Sequence, residues 1–320
     1  MQQFHRIILL RTFGKIDYNS EQIHVAIFMT LDQLRIFAEV ASQQHITKAA
    51  KAMNMTQSAV SAAVIALEER HGVALFDRIG RSIVLNQTGA IFLEHALQVL
   101  AEAKAAESAL SDLAGLLRGE LSVMASQTVG AYWLPSRLAK FHTRYPGLGL
   151  DVRIGNTEAV GDAVEAGRVE LGVVEGAVDR PALSSRMIAT DEMILVVSPT
   201  HPWAKGKKLG KADFEGATWV LREPGSGTRL AFETMMTKEK LELQALNVAI
   251  VLPGNEAVLG AVEAGMGATL TSRSAAQTEL NSGLLVEANA CQLPRPFFLL
   301  RHKERYRSKA ADAFEALLSE

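Results

Sequence analysis

The chain has 320 residues, 48% hydrophobic and 21% charged, with a formal net charge of −2 at pH 7. That length holds two or three cores, and the composition excludes a disordered or fibrous chain. The near-neutral charge excludes a wholesale electrostatic hold on nucleic acid, so evidence for such a partner has to come from pattern.

A single cysteine, Cys291, excludes an intramolecular disulfide framework and a multi-cysteine metal site; it fits a reducing, cytoplasmic setting as a small apolar filler. No stretch reaches the roughly 18 apolar residues of a membrane span, so no membrane partner is expected. Near the start, Arg6 and Arg11 flank Ile7-Ile8-Leu9-Leu10 without a small-residue cleavage pattern, which argues against a signal peptide. An amphipathic pattern begins at Met29, so residues 1–28 read as a misassigned or disordered extension and 29–87 as the first domain.

From Leu31 to Gln43, Leu34, Phe37, Ala38 and Ala41 recur at helical spacing. A short helix, Thr47 to Met53, carries Ala49-Ala50, a pair small enough for another helix to cross closely. Asn54-Met55 turns the chain and Thr56 is a good N-cap. The third helix runs from about Gln57 to His71 and closes at Gly72. Its Val60, Val64 and Leu67 face inward, and Gln57, Ser58, Ser61, Ala62 and Ile65 face outward. That short, polar outer face suits a helix pressed against base edges in a major groove. A three-helix bundle with a solvated face has the same spacing, and spacing alone does not choose. Val73 to Leu85 then reads as two short strands around a basic turn, with Arg78 and Arg81 placed to reach phosphates or the minor groove. Between Ile46 and Asn86 there are five basic against three acidic side chains, a small local excess in the right place.

The run FAEVASQQHITKAAKAMNMTQSAVSAAVIALEERHGVALFDRIGRSIVLNQTG resembles the winged helix-turn-helix of the LysR-type transcriptional regulators without a gap. The resemblance rests on the Ala49-Ala50 pair, Gln57, Ser61, Leu67-Glu68, Leu75-Phe76 with Arg78, and Leu85 ahead of Thr88-Gly89. It implies a helix-turn-helix at Ile46 to Ile65, with Thr56, Gln57, Ser58, Ser61 and Ala62 at the DNA and Arg78 and Arg81 on the wing. The sequence departs at Ala62-Ala63, where many members carry Arg and Gln, so base contacts fall to the neighbours.

Phe92, Ala96, Val99, Ala103, Ala106, Leu110, Leu113 and Leu117 alternate spacings of four and three, a heptad seam. A lone helix packed on its own domain shows the same stripe. The resemblance implies a linker helix, 88–118, that pairs two DNA-binding heads over a pseudo-palindromic operator.

Beyond Arg118-Gly119-Glu120 the signals alternate: strand Leu121 to Ala125, helix Leu134 to Tyr145, strand Leu150 to Ile154, helix Val160 to Ala166, strand Leu171 to Val174. From Asp191 to Val197 the alternation restarts and runs to about Leu300, ahead of a final helix, Lys309 to Leu318. This predicts α/β units with mostly parallel sheets. In the resembled family the corresponding region is a clamshell of periplasmic-binding-protein type. The expected effector-binding domain is therefore 119–320, with one subdomain at 119–190 and 295–320 and the other at 191–294. The overall fold class is α/β: a winged helix-turn-helix, a long linker helix and this two-subdomain domain.

In open α/β sheets ligands meet the carboxyl ends of strands beside helix N-termini. Two such junctions are rich in hydroxyls, Ser126-Gln127-Thr128 and Gly225-Ser226-Gly227-Thr228. Each offers backbone N–H groups and a positive dipole end, which suit an anion. The second lacks the spacing of a P-loop, and a plain capped turn has the same composition. Asn156, Glu175 and Asn255 sit at strand ends that face the same cleft. Glu175 opposes an anion unless it is protonated or meets a donor-rich part of the ligand. The wordings REPGSGTR, ASQTVGAYWLP and GVVEG resemble the LysR-type branch that includes regulators of sulfur assimilation and carbon fixation. That implies a small anionic effector, an inorganic sulfur oxyanion or a phosphorylated metabolite; Gln127 departs from the second small hydroxyl residue common at its position.

No catalytic constellation assembles: His142 lies on a helix and His201 in a loop before Pro202, neither with a partner nearby in sequence. A transport-type binding protein shares the clamshell but would carry an export signal and no DNA-binding head. The expected partners are double-stranded operator DNA, a small anionic effector, the chain itself as homodimer or homotetramer, and RNA polymerase, with no cofactor. Effector binding is expected to alter closure of the two halves, and through the oligomer the spacing or bending of the DNA.

Overall fold

The computed structural model describes residues 29–79, 82–113, 119–176, 178–290 and 293–320, so the expected extension at 1–28, Arg81, Leu117 and Cys291 lie outside the described residues. The residues up to Leu93 and those from Glu94 onward form two compact units.

In the first unit, helix α1 (Leu31–Gln43) starts in a capping box. The Gln33 amide donates to Thr30 Oγ1 and the Thr30 amide to Gln33 Oε1, both at 3.2 Å. Its buried face is Leu34, Ile36, Phe37, Val40 and Ala41; Ala38, expected there, is only half-buried because Ile36 and Val40 take that side of the core. Helix α2 (Ile46–Ala52) buries Ala49 and Ala50 where the helices cross. Helix α3 (Gln57–His71) begins where the Ala59 amide donates to Thr56 Oγ1 at 3.2 Å, and it buries Val60, Val64 and Leu67. Strands β1 (Phe76–Ile79) and β2 (Ser82–Leu85) form an antiparallel hairpin with Phe76 opposite Leu85. Glu68 ties α3 to that hairpin, its Oε1 accepting from the Leu75 and Phe76 amides at 2.7 and 3.2 Å. Helix α4 (Gln87–Leu113) is continuous for 27 residues.

The second unit is built on one nine-stranded sheet. Its strands are β3 (Gly119–Ser126), β4 (Leu148–Gly155), β5 (Leu171–Glu175), β6 (Leu183–Val197), β7 (Thr218–Arg222), β8 (Asn247–Leu252), β9 (Ala268–Ser272), β10 (Val286–Glu287) and β11 (Leu293–His302). They run in the order β4-β3-β5-β11-β6-β9-β7-β8, with β10 beside β6. At one end β3 is parallel to β4 and β5; at the other β7 is parallel to β8 and β9. The middle is antiparallel, because β6 and β11 pair with each other along their length and join the two ends. The expected parallel units are present, and the 15-residue β6 makes them one sheet instead of two.

Helices α5 (Leu134–Arg144) and α6 (Thr157–Glu165) belong to the first half. Helices α7 (Lys211–Glu215), α8 (Gly227–Lys238), α9 (Asn255–Glu263) and α10 (Arg273–Ser282) belong to the second. Helix α11 (Lys309–Leu317) returns to the first half, where Phe314 meets Phe141 edge to face at 5.0 Å. Leu121, Val123, Leu171 and Phe297 complete that core. The second core gathers Trp203, Phe214, Trp219 and Phe232. His201 caps the turn before Trp203, its Nδ1 accepting from the Trp203 amide at 3.2 Å, so its role there is structural.

Candidate functional site

Two groups of the anticipated site residues are brought together. On the head, Gln57, Ser58 and Ala62 lie exposed along the outer face of α3, with Ser61 half-buried between them. Thr56 Oγ1 and Ser58 Oγ are 3.1 Å apart at the start of the helix. This end combines free N–H groups, which suit a phosphate, with Gln57, whose amide can bond an adenine edge on both sides. Arg78 is exposed on β1.

In the second unit the starts of α6, α8 and α9 and the helical segment opening at Gln127 converge between the two halves of the sheet. Asn255 Nδ2 donates to Thr128 Oγ1 at 3.2 Å, and Asn255 Oδ1 accepts from Arg222 Nη1 at 2.6 Å. The Glu158 amide donates to Gly225 O at 3.2 Å, and Asn156 caps α6 while its Nδ2 donates to Pro224 O at 3.4 Å. Ser226 caps α8, its Oγ accepting from the Thr228 and Arg229 amides. The closest approach is at Gly227, where a Cβ would lie 2.4 Å from Glu175 O and 2.8 Å from Thr157 Oγ1. Thus all ten residues anticipated for the effector, Ser126 to Thr128, Asn156, Glu175, Gly225 to Thr228 and Asn255, border one locus.

That locus is charged in a way the sequence did not announce. Arg295 is opposite Asp191 in the β11–β6 ladder, and its Nη2 donates to Asp191 Oδ2. The same ladders put Phe297 opposite Glu175 and Met193 opposite Ser272. Side chains two residues apart share a face, so Arg295 reaches diagonally to Glu175 (3.9 Å) and Asp191 accepts from Ser272 Oγ at 2.8 Å. Arg295 Nη1 also donates to Thr228 Oγ1 at 3.0 Å. Arg222 grips Glu223 with two bonds, 2.8 and 2.9 Å. Each of the two arginines thus has its own carboxylate, and Glu175 is left over. Sequence reasoning missed Arg222, Arg295, Asp191 and Ser272. The one local signal was a charge in unusual company, Arg222 ending an apolar strand as the first residue of REPGSGTR and Arg295 between two prolines.

Four buried polar atoms at this locus have no protein partner: Ser126 Oγ, Gln127 Oε1, Glu175 Oε2 and Arg295 Nε. Each such atom costs free energy unless something fills its bonding capacity. Burial pushes Glu175 above the ordinary carboxylate range, against the pull of Arg295. The folded state therefore binds a proton in a pH window where the unfolded chain does not, and stability falls as pH rises through that window. Glu175→Gln should flatten this slope in melting curves taken between about pH 5 and 8; parallel slopes for variant and parent would exclude Glu175 as the source. The Arg295–Asp191 and Arg222–Glu223 charges are each paired, and the helix starts turn their positive dipole ends to the locus beside Glu158 and Glu256 in the first turns of α6 and α9.

Residues 31–90 match the family of bacterial regulatory helix-turn-helix proteins of the lysR family, and residues 114–320 match the LysR substrate binding domain. A probable RuBisCO transcriptional regulator from Cyanidioschyzon merolae is 32% identical over 290 residues, covering 89% of this chain and 96% of that protein. Among solved structures, full-length CbnR complexed with its target DNA shares 23% identity at a TM-score of 0.65, covering 91% of this chain and 99% of that one. The CcmR regulatory domain of Synechocystis PCC6803 in complex with 2-PG shares 20% identity at a TM-score of 0.58, covering 63% and 96% respectively.

Proposed function

Since this chain belongs to the LysR family of transcriptional regulators, a DNA-binding helix-turn-helix joined to an effector-binding domain, we propose that a small anion bound between the halves of residues 119–320 sets its grip on operator DNA. The observation that carries this reading is the cluster of partnerless polar atoms, Ser126 Oγ, Glu175 Oε2 and Arg295 Nε, where four helix starts converge. An anion that also bears a hydroxyl satisfies all three: its anionic oxygens accept from Arg295 and the serine, and its hydroxyl donates to Glu175 Oε2. The 2-PG held by the CcmR regulatory domain is consistent with this chemistry. Binding alters the fit of α8 and α9 against Thr128 and Glu175, and so the closure of the halves. Thr56, Gln57, Ser58, Ser61 and Ala62 meet the operator, with Arg78 and Arg81 on the backbone beside it. Its place of action is the cytoplasm, where operator DNA is; among the described residues no helix is long and apolar enough to cross a membrane.

A thermal-shift screen of inorganic oxyanions and phosphorylated metabolites tests the effector. A ligand at a hundred times its Kd adds about 2.7 kcal/mol to the stability of the folded state. A hit is expected to raise the melting temperature of the parent protein, and that of Thr228→Val by about half as much or less; a screen in which no small anion raises the parent's sinks the anionic reading.

The oligomer is carried by α4. Val99, Leu110 and Leu113, on the heptad seam, are 47%, 69% and 84% exposed, a stripe that a second copy of the same helix covers. Leu110→Glu with Leu113→Glu places like charges across that seam, and sedimentation should then report monomers with unchanged helix content. A dimer of undiminished stability would assign dimerisation to another surface.

A further inference from the structure

Beside the C-terminal part of α4 the second unit holds a cavity that the effector reading leaves unused. Its cavity volume is about 70 Å³, and it opens to solvent. The walls are apolar: Ala101 and Ala105 from α4 face Val164, Val169 and Leu171 from the α6–β5 region. The polar lining is lopsided, with Lys104, Arg301, Arg305 and Arg307 against one carboxylate, Glu170.

Arg305 is the cation set deepest. Its side chain is 18% exposed, its Nη1 donates to Val164 O at 3.1 Å, and it faces the solvent-exposed Glu102 across 3.8 Å. A half-buried guanidinium with so distant a counter-charge is under-compensated, and burial accordingly pulls its pKa down. Room for it depends on Gly167 at φ +73°, where a Cβ would lie 2.2 Å from Arg305 Nη1 and 2.6 Å from Ala101 Cβ. The one acid is partly silenced: Glu170 Oε1 accepts from the Ser308 amide at 2.9 Å, and burial pushes its pKa up. Arg301 meets Glu315 only across 3.9 Å, whereas Arg307 is held by Asp312 at 2.7 Å and Lys104 by Glu120 at 3.3 Å. Arg305 and Arg301 are therefore the cations with most capacity left for a ligand.

We propose that this cavity is a second ligand site, for a small monocarboxylate with a compact apolar body. The carboxylate sits on Arg305 and Arg301 and the body lies against Ala101, Ala105, Val164 and Val169. Such a ligand touches α4 and the effector-binding domain together, so it acts at the root of the linker helix and independently of the cleft.

Isothermal titration of the full-length protein with phenylacetate, and with uncharged phenylacetamide, is the test. Phenylacetate is expected to bind saturably, and the amide at least tenfold more weakly. Arg305→Gln should weaken phenylacetate binding tenfold or more by removing the charge. Ala105→Leu should do the same by filling the cavity while keeping a good helix former, so either variant decides if the other fails to fold by circular dichroism. Thr228→Val should leave the affinity unchanged. Three results overturn the proposal: no binding up to about 10 mM, equal binding of the amide, or binding lost in Thr228→Val and kept in Arg305→Gln.

Discussion

Arg295→Met is expected to lower the stability of the folded protein by about 3–5 kcal/mol, the cost of removing one partner from a buried charge cluster. Arg295 is only 4% exposed, and methionine fills much of its length, so cavity formation is a minor part of the loss. The larger part is electrostatic. Asp191 keeps Ser272 Oγ at 2.8 Å as a donor but no longer faces a cation, and Glu175 loses the group that opposes its protonation. The guanidinium also joins β11 to β6 through Asp191 and to α8 through Thr228, so its loss loosens the two halves from each other as well as from the sheet. Urea denaturation measures the total. Adding Asp191→Asn to Arg295→Met should recover part of it, because the second change removes the charge that the first left unpaired. If Arg295→Met costs less than about 1 kcal/mol, the pair is solvent-screened and the cleft is wetter than the burial of its atoms implies.

What the sequence did and did not disclose follows the range of the interactions involved. The three helices of the head were readable because Leu34, Val60, Val64 and Leu67 recur at helical spacing and Thr56 and Gly72 mark the ends, all within one turn of their targets. The two turns proposed for the effector were readable for the same reason: Ser226 caps α8 from the adjacent position, and Ser126 closes β3 directly ahead of Gln127 and Thr128. The charges between those turns were not. Asp191 and Arg295 meet because β6 and β11 pair in one particular register across more than a hundred residues, and no local pattern encodes a register between distant strands. The first half of β6 was missed too, since Ser184, Ser185 and Arg186 lack the apolar run that marks Met193 to Val197, and only pairing with β11 makes them a strand. The sheet's antiparallel centre was hidden with them.

The division of labour between head and cleft makes the sharpest demand on the molecule. Ser61→Arg is expected to weaken operator binding about 100-fold, which is about 2.7 kcal/mol. A good bidentate bond to a base edge is worth about 1–3 kcal/mol, so the loss equals that of a few such bonds at most. Ser61 sits one turn beyond Gln57 on the outer face of α3, half-buried, on the face proposed to enter the groove. An arginine there holds the backbone away from the bases while offering a new partner to phosphates, so binding to unrelated DNA should stay constant or rise. The ratio of operator to non-operator affinity, measured at fixed salt because the phosphate contribution is salt-dependent, is therefore the quantity to follow. Thr228→Val is its mirror. It keeps the shape of the side chain but removes the oxygen that accepts from Arg295 Nη1 at 3.0 Å, so effector binding should fall tenfold or more with basal operator affinity unchanged. Each variant should also keep what the other loses: Ser61→Arg the thermal shift with effector, Thr228→Val the operator complex. If both folded variants lose both activities, head and cleft are not separable, and either Thr228 supports the oligomer or Ser61 lies outside the DNA surface.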